Sequence, residues 1–98
     1  MIHLTLPGPP HLLAKIEGEV QLDIPAPITQ RTVLDELEKR YPPLMGTLRD
    51  QRTGKRRDFI RFFAEGQDLS HKSLDDPLPE SVAQGKEPFL VVGAIAGG

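Results

Sequence analysis

Cysteine is absent from the 98 residues. That excludes disulfide staples, thiolate metal ligands, a cysteine nucleophile and a persulfide held on a side chain. Any sulfur chemistry in which the chain takes part must use another atom. Long hydrophobic runs are also missing: nowhere do eighteen or more apolar residues follow one another, and the opening MIHLTLPGPP has no basic stretch leading into an apolar one. Neither a membrane span nor a secretory signal is expected, and the cytoplasm is the expected compartment. No charge of one sign dominates, since the formal net charge is only -2, so no overall field draws the chain to nucleic acid. Repeats, linkers and low-complexity segments are lacking too. With 38% hydrophobic and 27% charged residues, the length suits one domain over 1–98 with a modest core and no separate catalytic lobe.

What is present is mostly alternation. Ile2, Leu4 and Leu6 alternate with His3 and Thr5, the period of a half-buried strand, before Pro7-Gly8-Pro9-Pro10 stops regular structure. A second such run spans Glu19 to Ile24, with Val20, Leu22 and Ile24 on one face and Pro25 and Pro27 closing it. Between them HLLAKIEG reads either as a loop or as a short helical turn tucked under the sheet. Thr29 to Tyr41 has helical spacing, with Val33, Leu34, Leu37 and Tyr41 on one face and Asp35, Glu36, Glu38, Lys39 and Arg40 on the other. Thr29 or Thr32 is the expected cap, acidic residues lead and basic ones trail, and Pro42-Pro43 prevents continuation.

Leu48 to Asp58, LRDQRTGKRRD, is polar around Thr53-Gly54 and predicts an exposed hairpin or loop. Phe59 to Ala64 predicts a strand with Ile60, Phe62 and Ala64 on one side and Phe59, Arg61 and Phe63 on the other, followed by a turn at Glu65-Gly66-Gln67-Asp68. Leu69 to Pro88 predicts connecting turns with Leu74 and Leu78 as isolated anchors. Phe89 to Val92 is a strand apolar on both faces, and Gly93 to Gly98 makes a tail. First and last strands apolar enough to lie centrally side by side, with one helix crossing the sheet, specify an α+β fold of the β-grasp type with four to five strands in a mixed sheet.

Three further features compete for a role. Arg49, Arg52, Lys55, Arg56, Arg57 and Arg61 form a basic cluster, which fits a solvated face or an acidic partner surface better than nucleic acid. His3, His11 and His71 have no metal-site spacing, no carboxylate pair is placed for acid–base work, and Asp75-Asp76 reads as a turn. With β-grasp strand order, His3, Thr5, Arg61, Phe63, Leu90 and Val92 share the outer sheet face, either as an exposed contact patch or packed under the connection 65–88.

The ending is unusual, because small residues after a terminal strand stabilise nothing by burial. Two terminal glycines arise by chance in about one chain in 200, so the pair gains meaning from its position after the last strand of this pattern. EVQLDIPAP, VLDELEKRYPPL, IRFFAEGQDL, LDDPL and the ending AIAGG together resemble the ubiquitin-like sulfur carriers of the ThiS and MoaD family, IRFFAEGQD and the terminal GG being the specific parts. LRDQRTGKRRD resembles the extra hairpin of one variant of that family, whereas PESVAQGKE is longer than usual and Gly93 stands where many members have proline.

The resemblance implies that the chain is a cosubstrate and no enzyme of its own. It binds no cofactor, and ATP is used by a ubiquitin-activating-type adenylating enzyme. Gly98, with Gly97 behind it, is the expected site of adenylation and thiocarboxylate formation, since a glycine carboxylate has no Cβ to block entry to a narrow nucleotide site. A sulfur donor protein and a downstream sulfur-accepting synthase complete the implied partners, with Phe63, Leu90, Val92, Arg61 and Ala96 as docking residues. A ubiquitin-like modifier joined through Gly98 to target lysines is the alternative.

Overall fold

Alternation along the chain becomes two faces of one sheet. The computed structural model describes residues 1–6 and 19–93. Its strands are β1 (Ile2–Thr5), β2 (Glu19–Leu22), β3 (Ile60–Ala64), β4 (Gln67–Asp68) and β5 (Phe89–Gly93); its helices are α1 (Gln30–Arg40) and the single turn α2 (Glu80–Ala83), with a 3-10 turn at Pro42–Leu44. The sheet order is β2-β1-β5-β3-β4. β1 runs parallel to β5 and antiparallel to β2, while β3 is antiparallel to both β4 and β5. First and last strands are therefore neighbours at the centre, as the β-grasp expectation requires. HLLAKIEG and residues 94–98 lie outside the described residues, and Gly93, expected to open the tail, is still in β5 opposite Ile60.

Ile2, Leu4, Val20, Leu22, Ile60, Phe62, Phe89 and Val91 point to the inner face and join Val33, Leu34 and Leu37 of α1 in one core. Phe62 and Phe89, on adjacent strands, lie with ring centroids 5.5 Å apart in a tilted pair. Such aromatic pairs add about 0.5–1.5 kcal/mol beyond area burial. Ile24 and Tyr41 pack only partly against this core.

The start of α1 departs from expectation, because no acidic residue stands in its first turn. Thr29 and Thr32 cap it reciprocally instead. The Thr32 N–H donates to the Thr29 hydroxyl at 3.2 Å, and the Thr29 N–H donates to the Thr32 hydroxyl at 2.9 Å. Two orphan donors are thus satisfied without charge. Lys39 and Arg40 in the last turn suit the dipole as expected.

Two connections are more structured than their composition suggests. Residues 69–88 hold α2 where only turns were expected, and their anchors are Leu69, Leu78 and Val82, all buried, with Leu74 only half-buried. The connection is tied to the start of α1 by Arg31 N–H donating to the Leu74 carbonyl and Leu78 N–H to that of Ile28. The segment 48–58 is also not a free loop. Leu48 belongs to the core, Arg49 pairs with Arg56 in a bridge, and Asp50 Oδ1 accepts from the Arg52 and Thr53 N–H groups at 2.8 and 3.0 Å to fix the turn. At Glu65-Gly66 both residues have positive φ, 54° and 74°, which makes the tight two-residue hairpin from β3 into β4.

Candidate functional site

β5 is the central strand, and its outward residues form the axis of the candidate site. In register, Thr5 lies beside Leu90, Leu90 opposite Phe63, and Phe63 opposite Asp68, so one row crosses four strands. Val92 opposite Arg61 forms the next row towards the end of β5. Because their sequence neighbours are the buried inner residues, His3, Thr5, Arg61, Phe63, Leu90 and Val92 all share the outer face, as expected.

Their exposure is graded. Val92 is 40% exposed, whereas Phe63 and Leu90 are half-buried. Arg61 extends over the face, with its guanidinium 3.9 Å from the Asp68 carboxylate. The Asp68 carboxyl is held below the usual carboxylate range by hydrogen bonds from the Ser70 side chain and N–H, with Arg61 adding to the effect. The loose Arg61 pair leaves that guanidinium available for another acceptor.

The connection 65–88 reaches this face at one margin. Gly85, at φ +80°, passes so close to β1 that a Cβ would lie 2.4 Å from the Met1 carbonyl and 3.2 Å from the His3 ring. At this margin His3 also engages Glu19 through Nδ1, and the Ser81 hydroxyl donates to Glu65 at 2.6 Å. The opposite end, where β5 runs out at Gly93, carries the exposed Val92. Phe59, expected to open the strand, instead falls in the turn just before β3 and is 40% exposed. Ala96, Gly97 and Gly98 lie outside the described residues.

The basic cluster does not survive as a single surface. Arg49 is buried, donating to both Glu38 oxygens at 3.0 Å and to Asp35 at 2.5 Å. Burial pulls its pKa down, but the hydrogen bonds it donates to Glu38 and Asp35 outweigh that and leave it raised. Arg56 turns inward to the carbonyls of Ser70, Arg57 and Ile60, and Arg57 spans from the Gly46 carbonyl to Asp50. Only Arg52, Lys55 and Arg61 remain as outward cations, too few and too scattered to track a phosphate backbone. Among the described residues, no group of three or more His, Asp or Glu side chains is placed to hold a metal, and no helix is long and apolar enough to cross a membrane.

No family model and no curated protein matches the chain. Solved structures do. The crystal structure of SAMP1 from Haloferax volcanii superposes with a TM-score of 0.76 at 18% identity, covering 99% of this chain and 98% of that one. A second crystal structure, of the H. volcanii small archaeal modifier protein 1, gives 0.74 at 16% identity over 96% and 97%. A chain from the Amycolatopsis orientalis BexX/CysO complex gives 0.76 at 17% identity with full coverage of both chains. At such identities the likeness is one of fold, and the fold is the ubiquitin-like β-grasp expected of ThiS- and MoaD-like proteins.

Proposed function

We propose that the chain, as one β-grasp domain with a C-terminal tail, is a cytoplasmic sulfur carrier activated at the Gly98 carboxylate. The observation that carries this reading is the central β5, which ends at Gly93 beside exposed Val92 and is followed in the sequence by Ala94-Ile95-Ala96-Gly97-Gly98. In the proposed cycle a Gly98 carboxylate oxygen attacks the α-phosphate of ATP on a partner adenylating enzyme, and pyrophosphate leaves. A sulfide equivalent from a donor protein then displaces AMP, leaving a thiocarboxylate. Without cysteine, the chain has no side-chain thiolate to compete for that sulfur. The thiocarboxylate passes sulfur to an accepting synthase in cofactor or metabolite biosynthesis.

Phe63, Leu90 and Val92 supply the apolar contact with the partner, Arg61 a cation at its border, and Ala96 a side chain small enough to follow the glycines into a narrow cleft. Intact-mass measurement of the untagged protein from its own host tests the scheme. The expected result is a gain of about 16 Da that disappears on Gly98 deletion, which distinguishes it from sulfoxide formation at Met1 or Met45. Retention of that gain by the truncated chain would overturn the proposal. The modifier reading is favoured by one observation, the likeness to a structure named as a small archaeal modifier protein. It predicts denaturation-resistant conjugates of higher mass in place of free thiocarboxylate.

A further inference from the structure

The last rungs of β5 hang on one neighbour. β1 pairs with β5 only at Phe89 and Leu90, so among the described residues Val91, Val92 and Gly93 have β3 alone as a strand partner. β3 in turn lies beside β4 only at Phe63 and Ala64. From Phe62 back to Ile60 its outer edge is held by side chains and turns in place of a strand. The Phe62 N–H donates to the Ser70 hydroxyl at 2.8 Å, and the Phe62 carbonyl accepts from the Leu69 N–H at 2.7 Å. At Ile60, where β3 begins opposite Gly93, the carbonyl accepts from Arg56 Nη1 at 2.7 Å.

Arg56 reaches that carbonyl from a fixed base. Its backbone bridges to Arg49, and on either side the Asp50 N–H donates to the Lys55 carbonyl at 2.7 Å and the Arg57 N–H to the Leu48 carbonyl at 3.0 Å. The same Nη1 donates to the Arg57 carbonyl at 2.9 Å, which also accepts the Ile60 N–H at 3.0 Å, and Nε donates to the Ser70 carbonyl at 3.3 Å. One half-buried guanidinium thus joins the segment 48–57, the first residue of β3 and the edge at Ser70. Its planar fork meets these carbonyls together, which the point charge of a lysine does not. An end rung frays unless it is tied down, and this one stands five residues before Gly98. We propose that Arg56 is a positioning residue for the Gly98 carboxylate, a role that rests on activation at that carboxylate. By closing the Ile60–Gly93 rung it fixes the point from which the last five residues reach into a partner's cleft. Five residues span at most about 18 Å. Opening the rungs back to Val91 frees seven, spreads the carboxylate over a larger volume and makes its arrival at the nucleotide rarer.

The register supplies a readout that needs no partner. Phe62 turns its N–H and carbonyl to Ser70 and Leu69, so Arg61 turns its own towards Val92. Amide hydrogen exchange of the full-length, isotope-labelled chain, followed by NMR, should rise about tenfold at Arg61 and Val92 in Arg56→Ala, the loss of one net hydrogen bond, and change by less than about twofold at Leu4 and Val20. Arg56→Lys keeps the charge without the fork and should fall between, and it makes the same comparison if Arg56→Ala does not fold. The second readout is ATP–pyrophosphate exchange with the adenylating enzyme purified from the same host. The KM for the Arg56→Ala chain should rise about threefold or more with kcat unchanged, a split that a general loss of stability does not produce. Unchanged exchange at Val92, an equal rise at Leu4 and Val20, or an unaltered KM overturns the proposal. A wild-type chain that supports no pyrophosphate exchange overturns activation at Gly98 instead, whatever the amide exchange shows.

Discussion

The segment 48–57 and the strand β5 reverse the roles their compositions suggest. LRDQRTGKRR is almost wholly polar, yet it puts Leu48 in the core, buries Arg49 against two carboxylates of α1 and spends Arg56 on three backbone carbonyls. Phe89-Leu90-Val91-Val92 is wholly apolar, yet only Phe89 and Val91 are buried, while Leu90 and Val92 face outward. Polarity alone therefore does not separate inside from outside here. A charged side chain goes in when its partners are already fixed, and an apolar one stays out when strand parity puts it on the far side of the sheet.

The sharpest way to break that comparison is within β3, where Phe62 and Phe63 are adjacent and chemically identical. Phe62→Ala deletes a fully buried ring and its pair with Phe89, and should cost about 3–5 kcal/mol of unfolding free energy. Phe63→Ala removes a half-buried outer-face ring and should cost about 1 kcal/mol or less. Denaturant unfolding of the two variants measures both, and equal losses would mean that the outer face is packed like a core.

The arginines give the next largest contrast. Arg49→Ala leaves Glu38, whose side chain is only 11% exposed, without its bidentate donor, and a loss of about 2–3 kcal/mol is expected. Arg52→Ala, three residues along the same segment, should change stability by no more than about 0.5 kcal/mol. If the two losses are alike, the segment is a solvated loop after all.

What could be read from the sequence followed from period. Ile2 and Leu4, Val33, Leu34 and Leu37, and the alternation through Phe62 each report a face without knowledge of neighbours. That parity carried the outer-face set His3, Thr5, Arg61, Phe63, Leu90 and Val92 correctly onto one surface. Arg49 was not readable in this way, because its partners Asp35 and Glu38 are 14 and 11 residues away on the helix and only the folded path brings them together. The burial of Gln30 was hidden for a similar reason: its acceptor Leu69 is 39 residues distant. α2 is a single turn, too short to show a helical period, and Val82 is its only buried residue.

The smallest expected effect concerns acid, and it compares the hairpin with the sheet through two aspartates. Asp50 is held below its ordinary pKa by the N–H groups of Thr53 and Arg52, and Asp68 by Ser70. A carboxyl with a depressed folded-state pKa contributes stability above its unfolded value, about 3.9, and loses it as pH falls through the lower folded value. Unfolding midpoints should therefore decline below about pH 4. An asparagine keeps an oxygen able to accept the same N–H bonds but cannot titrate. Asp50→Asn should thus leave stability near pH 6 almost unchanged while flattening the acid decline, and Asp68→Asn should flatten it while also freeing Arg61. Midpoints measured between about pH 2 and 6 separate the two contributions. An undiminished slope in both variants would place the acid sensitivity in other carboxylates, with the Arg31–Asp75 pair, whose Asp75 is also depressed, the next to test.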